Sequence, residues 1–203
     1  MVHRIAAVGR IELESNAGEI TAGDYQAGNY SQVDGDGDLT QHGTARIDWA
    51  KYTANSVTIT VGGTDATSVV ANLRTAFDGL FFHLDEVAAA PGIDLIIDFI
   101  NVTAFNWVQA LDTYKGSATH AVAIQLYNWI TATWDTFNAA QGGQFDVTTA
   151  GGYIVDNHSF FVPSDTSYIG TGGSAGQVRA RFYHTMGGSA AHDLYIDCVA
   201  LYQ

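Results

Sequence analysis

From about Ile47 to the C-terminus, apolar residues recur at every second position in short runs separated by Gly, Asp and Asn. In "IDLIIDFI", Ile93, Leu95, Ile97 and Phe99 share one face and Asp94, Ile96, Asp98 and Ile100 the other. In "QVRARFYHT", Val178, Ala180 and Phe182 alternate with Arg179, Arg181 and Tyr183. A period of two marks strands with one buried and one wet face. "VTITV", "LFFHLDE", "FNWVQALDTY", "HAVAIQLYNWI", "TATWDTF" and "YIVDNHSFFVP" read the same way, as does "HDLYIDCVALYQ", where Leu194, Ile196 and Cys198 are expected to point inward together. "ATSVVANLRTAFDG" fits either a short helix or an edge strand. Pro91 and Pro163 fall where strands should start or stop. Roughly eight or more short strands without alternating helices predict an all-β fold, an antiparallel two-sheet β-sandwich, with a jelly roll as its natural form.

Residues 1–46 break this pattern. "NAGEITAGDYQAGNYSQVDGDGDLTQHG" is rich in Gly, Asp, Asn and Gln, with isolated aromatics and no sustained period. Such a stretch buries too little apolar surface to offset chain entropy, which predicts an extended N-terminal arm, either a tether ordered against a neighbouring subunit or a loose tail, with the sandwich occupying 47–203.

Composition narrows the function. Apolar residues make up 47% of the 203 residues and charged residues 14%, enough for a real core. Eight Lys plus Arg against 21 Asp plus Glu give a net charge of −13. That leaves too few cations to neutralise a run of phosphates, so direct nucleic-acid binding is not expected. No apolar stretch reaches the length of a membrane helix, and the N-terminus lacks the apolar core of a secretion signal. Cys198 is the single cysteine, which excludes an internal disulfide and reads as a small buried hydrophobe.

The most specific motif is internal. "GSATH" at Gly116–His120 and "GSAAH" at Gly188–His192 each follow one strand pattern and precede another. Gly, Ser and Ala suit a tight reversal, so each copy reads as a hairpin turn with His120 or His192 as a structural turn residue at the start of the return strand. The competing reading is a metal or acid/base cluster of His120, His184 and His192 with Asp193 or Asp197. Alternation opposes that grouping, because it sends His192 and Asp193 to opposite faces.

Other chemistry is sparser. Asp34, Asp36 and Asp38 in "DGDGD" resemble half of a calcium loop, but Leu39 and Ala45 stand where such a loop needs its Gly and its bidentate Glu. No other cofactor is expected. "GTGGSAG" has glycines around Ser174 but no helix-forming sequence after it, which argues against a serine nucleophile. Asp85, Glu86, Asp94 and Asp98 could supply a glycosidase pair, as could carboxylates in any acidic protein. Trp107, Trp129, Trp134 and Tyr127 could form a glycan platform; the alternative places the tryptophans of "LYNWITATWDTF" in a hairpin, packed on the core.

The segments "GNYSQVDGDGDLTQHGTAR", "VTAFNWVQALDTYKGSATHAVAIQLYNWITATWDTF" and "GQVRARFYH…GSAAHDLYIDCVALYQ" resemble tailed-bacteriophage virion proteins of the head-decoration, head-fibre and tail-associated type, in which an arm precedes a jelly roll. The resemblance implies a non-enzymatic structural component of the virion, assembled in the host cytoplasm. It also implies a homo-oligomer, commonly a trimer, whose partners are the major capsid protein or other virion proteins. A capsid decoration or cement role is the first expectation. A glycan-binding adhesion module of a tail or fibre is the second.

Overall fold

The structure, a computed structural model, describes residues 52–142 and 155–203, together with the backbone strands at 3–7, 9–14, 19–22, 30–33 and 39–42. The chain divides into two compact units, Met1–Asp48 and Trp49–Gln203. In the first, β1 (His3–Ala7), β2 (Gly9–Glu14), β3 (Glu19–Ala22), β4 (Tyr30–Val33) and β5 (Leu39–His42) form an antiparallel meander, each strand paired with the next. Local strand pairing thus runs through the segment that the sequence presented as an arm without a period. Asp34, Asp36 and Asp38, the calcium candidate, lie outside the described residues.

The second unit is an antiparallel sandwich. Its strands are β6 (Tyr52–Thr53), β7 (Ser56–Val61), β8 (Phe82–Asp85), β9 (Ile93–Phe99), β10 (Trp107–Lys115), β11 (Ala121–Asn128), β12 (Thr133–Gln141), β13 (Asp156–Asn157), β14 (Phe160–Phe161), β15 (Val178–His184) and β16 (Asp193–Tyr202). One sheet places β13 and β14 beside β10, then β16, then β6 and β8; the other runs β12-β11-β15-β9-β7. The order is that of a long hairpin rolled up. β8 pairs with β16, β9 with β15, β10 with β13 and β14, and β11 with β12, and the roll closes through β10–β16 and β11–β15. This is jelly-roll connectivity. No helix among the described residues is long and apolar enough to cross a membrane.

The alternation read from the sequence sets the core. Ile93, Leu95, Ile97 and Phe99 of β9 and Val178, Ala180 and Phe182 of β15 are fully buried against Val108 and Ala110 of β10 and Leu194 and Ile196 of β16. In "ATSVVANLRTAFDG" a 3-10 turn forms at Val70–Leu73; it buries Leu73, while the Asn72 amide donates to the Thr67 and Phe81 carbonyls.

The expectation for β16 fails past Ile196. The β10–β16 register shifts between Leu111 and Asp112, opposite Cys198 and Ile196. An extra residue in a ladder reverses which face the following side chains take. Val199 and Leu201 therefore join the core, whereas Cys198 packs with Leu111 and Ala200 in a separate apolar cluster.

At the same irregularity Asp112 becomes buried, and its Oδ1 lies 3.1 Å from His158 Nδ1. Burial pushes the Asp112 carboxyl up, and the hydrogen bond to Asp112 raises His158 above its ordinary value. Attraction to a carboxylate favours the imidazolium. While Asp112 stays ionised, the stabilisation it provides is present below about pH 6.5 and is lost as pH rises through the raised value. Asp112→Asn should return His158 toward an ordinary titration and remove that slope, as followed by imidazole NMR shifts and by unfolding at several pH values.

Candidate functional site

The two Gly-Ser-Ala-x-His copies do not form hairpins. Each connects strands of opposite sheets, β10 to β11 and β15 to β16. Both turns close alike: His120 N–H donates to the Ser117 carbonyl and His192 N–H to the Ser189 carbonyl, each at 2.9 Å. Because β10 pairs with β16 and β11 with β15, the two crossings lie at the same end of the sandwich. The His120 ring centroid is 4.9 Å from that of His184 and 5.2 Å from that of His192.

These rings gather around Glu86, which follows β8 and is 2% exposed. Its Oε1 accepts from Tyr114 Oη at 3.0 Å and contacts His184 Nδ1; its Oε2 contacts His192 Nδ1 at 2.8 Å and accepts from the Ser189 N–H at 2.9 Å. Burial alone would raise the Glu86 carboxyl, but the Ser189 N–H, Tyr114 hydroxyl and His184 outweigh it and hold the carboxyl below its ordinary value. Burial and the nearby carboxylate push the Tyr114 hydroxyl up. A β-carbon on Gly92 would lie 2.7 Å from Glu86 Oε1 and 2.9 Å from His184 Nδ1, and one on Gly116 would lie 2.5 Å from the Tyr114 ring. The glycines supply the space that the cluster occupies.

The sequence offers Asp193 or Asp197 as the acid beside His120, His184 and His192. The structure assigns those aspartates elsewhere. Asp193 pairs with Lys115 at 3.1 Å, and Asp197 accepts from the Phe77 N–H at 2.8 Å. Glu86 is the residue that sequence reasoning missed in this role; "LFFHLDE" offered it only as one carboxylate among several.

The aromatic platform divides. Tyr127, Trp129 and Trp134 converge around the β11–β12 turn on the outer face of the five-stranded sheet, with Tyr127 edge-on to Trp129 at 5.0 Å and to Trp134 at 5.2 Å. The expected hairpin forms, but its tryptophans meet guanidinium groups rather than the core. Arg179 lies 5.2 Å from the Trp129 ring and Arg181 lies 5.1 Å from Trp134 and 3.6 Å from Tyr183. Asp98 fixes Arg179 at 3.1 Å, and Asp94 holds Arg181 through two contacts of 2.7 Å. Asp94 and Asp98, two of the four carboxylates from which a glycosidase pair could be drawn, are thus engaged by arginine, and cation–π contacts occupy the rings.

Trp107 belongs to the other sheet. It pairs in register with Phe161 of β14 on one side and Tyr202 of β16 on the other. Cross-strand neighbours stand about 5 Å apart, so the rings form a row across adjacent strands. With Asn106 and Gln109 they line an open cleft of about 720 Å³. Tyr202 Oη donates to Gln109 Oε1 at 2.9 Å. Phe161 is 57% exposed and Trp107 39%, so an apolar face remains for a ligand. The three rings come from segments far apart in the chain, and only the sheet order aligns them.

No protein-family model matches the chain, and no curated protein matches it. Among solved structures it is similar to the enzymatically active domain of tailspike protein 4 of bacteriophage CBA120, with 13% identity and a TM-score of 0.34 over 77% of this chain and 19% of that one. The chain therefore spans under a fifth of the compared structure, and no site or activity transfers at this degree of likeness.

Proposed function

We propose that this chain is a non-enzymatic structural protein of a bacteriophage particle whose jelly roll binds neutral glycan through the Trp107–Phe161–Tyr202 cleft. The cleft is the observation that carries the glycan reading. Rings aligned in a row suit the apolar faces of successive sugar units, and the amides of Asn106 and Gln109 suit hydroxyl groups. Among the described residues the lining holds no ionised side chain, and a net charge of −13 repels anionic polysaccharide, so a neutral sugar is the class that fits. The virion reading rests on the sequence resemblance, with the Met1–Asp48 unit as the attachment segment. Oligomerisation would present several clefts and raise avidity.

Calorimetry of the full chain against neutral hexose oligosaccharides, together with pull-down on polysaccharide from host cells, tests the assignment. Saturable binding is expected, weakened roughly tenfold by Trp107→Ala, a loss of about 1.4 kcal/mol. Trp134→Ala, on the arginine-capped face, should leave affinity unchanged. Absence of glycan binding combined with attachment to emptied phage heads would overturn the assignment and favour capsid decoration.

A further inference from the structure

Hydrogen bonding does not satisfy the Glu86 cluster. His184 is 1% exposed, yet its Nε2 has no hydrogen-bond partner, and His120 Nδ1 is likewise buried and unpartnered. Buried polar atoms in folded proteins are nearly always paired, so two orphaned imidazole nitrogens in one cluster call for a missing partner. One oxygen of Glu86 and one ring nitrogen each of His120 and His184 lie within 4.8 Å of one another. A cation placed among them would need only small adjustments to reach bonds of about 2.0–2.2 Å.

We propose that Glu86, His120 and His184 bind one divalent transition metal of the zinc class, with His192, Tyr114 and the Ser189 N–H holding the carboxylate in place. The donor set selects the metal. Two imidazoles and a carboxylate suit zinc and its neighbours, whereas calcium and magnesium take oxygen. Turning an imidazole over about Cβ–Cγ exchanges Nδ1 with Cδ2 and Nε2 with Cε1 in nearly the same volume, so a ring can present a nitrogen where a carbon stood. Metal entry displaces the proton between His184 and Glu86 to solvent and gives His120 its missing partner. The contacts to Glu86 from His192 at 2.8 Å and Tyr114 at 3.0 Å are of the kind that orient a metal-binding carboxylate from outside the coordination sphere.

This site also explains the repeat. Each copy contributes the same turn and the same histidine, and the paired crossings bring the two histidines to one carboxylate. The proposal is independent of glycan binding, since the cleft lies at the opposite ends of β10 and β16.

The test titrates zinc into untagged full-length protein, stripped with chelator, against a chromophoric indicator, with melting temperature as a second readout. One zinc per chain and a higher melting temperature on loading are expected. His120→Ala should abolish saturable binding and with it the rise in melting temperature on zinc loading, whatever its stripped melting temperature. Tyr114→Phe should weaken zinc roughly 10–100-fold. His83→Ala should leave affinity unchanged; it removes the competing group of His83, Asp85 and Asp193. No saturable zinc in the wild type, or equal affinity in His120→Ala, would overturn the site.

Discussion

Glu86→Ala is expected to lower unfolding free energy by about 3–5 kcal/mol, the usual cost of removing one member of a buried charged network. The carboxylate receives the Ser189 N–H and the Tyr114 hydroxyl and contacts Nδ1 of His184 and His192. Alanine would leave these groups without an acceptor in a space closed by glycines, at about 1–3 kcal/mol for each that finds no water. Urea unfolding followed by tryptophan fluorescence would measure the loss. Glu86→Gln, of the same shape, should cost less. The pH dependence separates charge from shape. Because the folded protein holds the Glu86 carboxyl below its ordinary value, its contribution is present above about pH 4.5 and is lost as pH falls through the lowered value. The gap between wild type and Glu86→Gln should therefore narrow in acid. A gap that stays constant with pH would show that the ionised form adds nothing.

Gly188→Ala should be the next most damaging of these changes, at about 1–3 kcal/mol or more. A β-carbon there would collide with Cγ and Cδ of Glu86 and with the Val87 carbonyl oxygen. The Glu86 side chain could shift, but a backbone carbonyl moves only with the chain that carries it. Gly187→Ala provides the control, since its β-carbon would meet nothing closer than the Ala88 carbonyl at 3.7 Å. The two variants have equal helix and strand propensity effects and differ in steric surroundings. A lower urea midpoint for Gly188→Ala alone would assign the cost to the cluster; equal midpoints would show that the Glu86 pocket yields freely.

The same positions show how far the sequence reading reached. Gly188 and Gly116 stood out because they open identical five-residue patterns, and a turn was the correct local inference. Whether a turn joins neighbouring strands or crosses between sheets is not encoded in five residues. It depends on which distant strands each flank pairs with, and this assigned both copies to crossings and brought His120 beside His192. His192 meets Glu86, whereas the next residue, Asp193, pairs with Lys115. Alternation could not reveal Glu86, which reaches the cluster from the end of β8.

Likewise, tryptophan content suggested a ring platform without fixing its members. Trp129 and Trp134 are close in sequence and share a face, but Arg179 and Arg181 from β15 cover them. Trp107 finds its companions in Phe161 and Tyr202, which are remote in sequence and adjacent only through the β14-β10-β16 order.

By itself the sequence determined the class of fold and, after about Ile47, most of the strands and of the residues they bury, because a period of two in polarity fixes a strand's buried face wherever that strand is placed. The bulge at Leu111 and Asp112, which turned Cys198 out of the main core, marks the limit of that rule. Tertiary structure decided the grouping of Glu86, His120, His184 and His192, and the alignment of the cleft. Those groupings arise from long-range strand pairing, in which the partner of each residue is set by the free energy of closing the whole roll rather than by its neighbours in the chain.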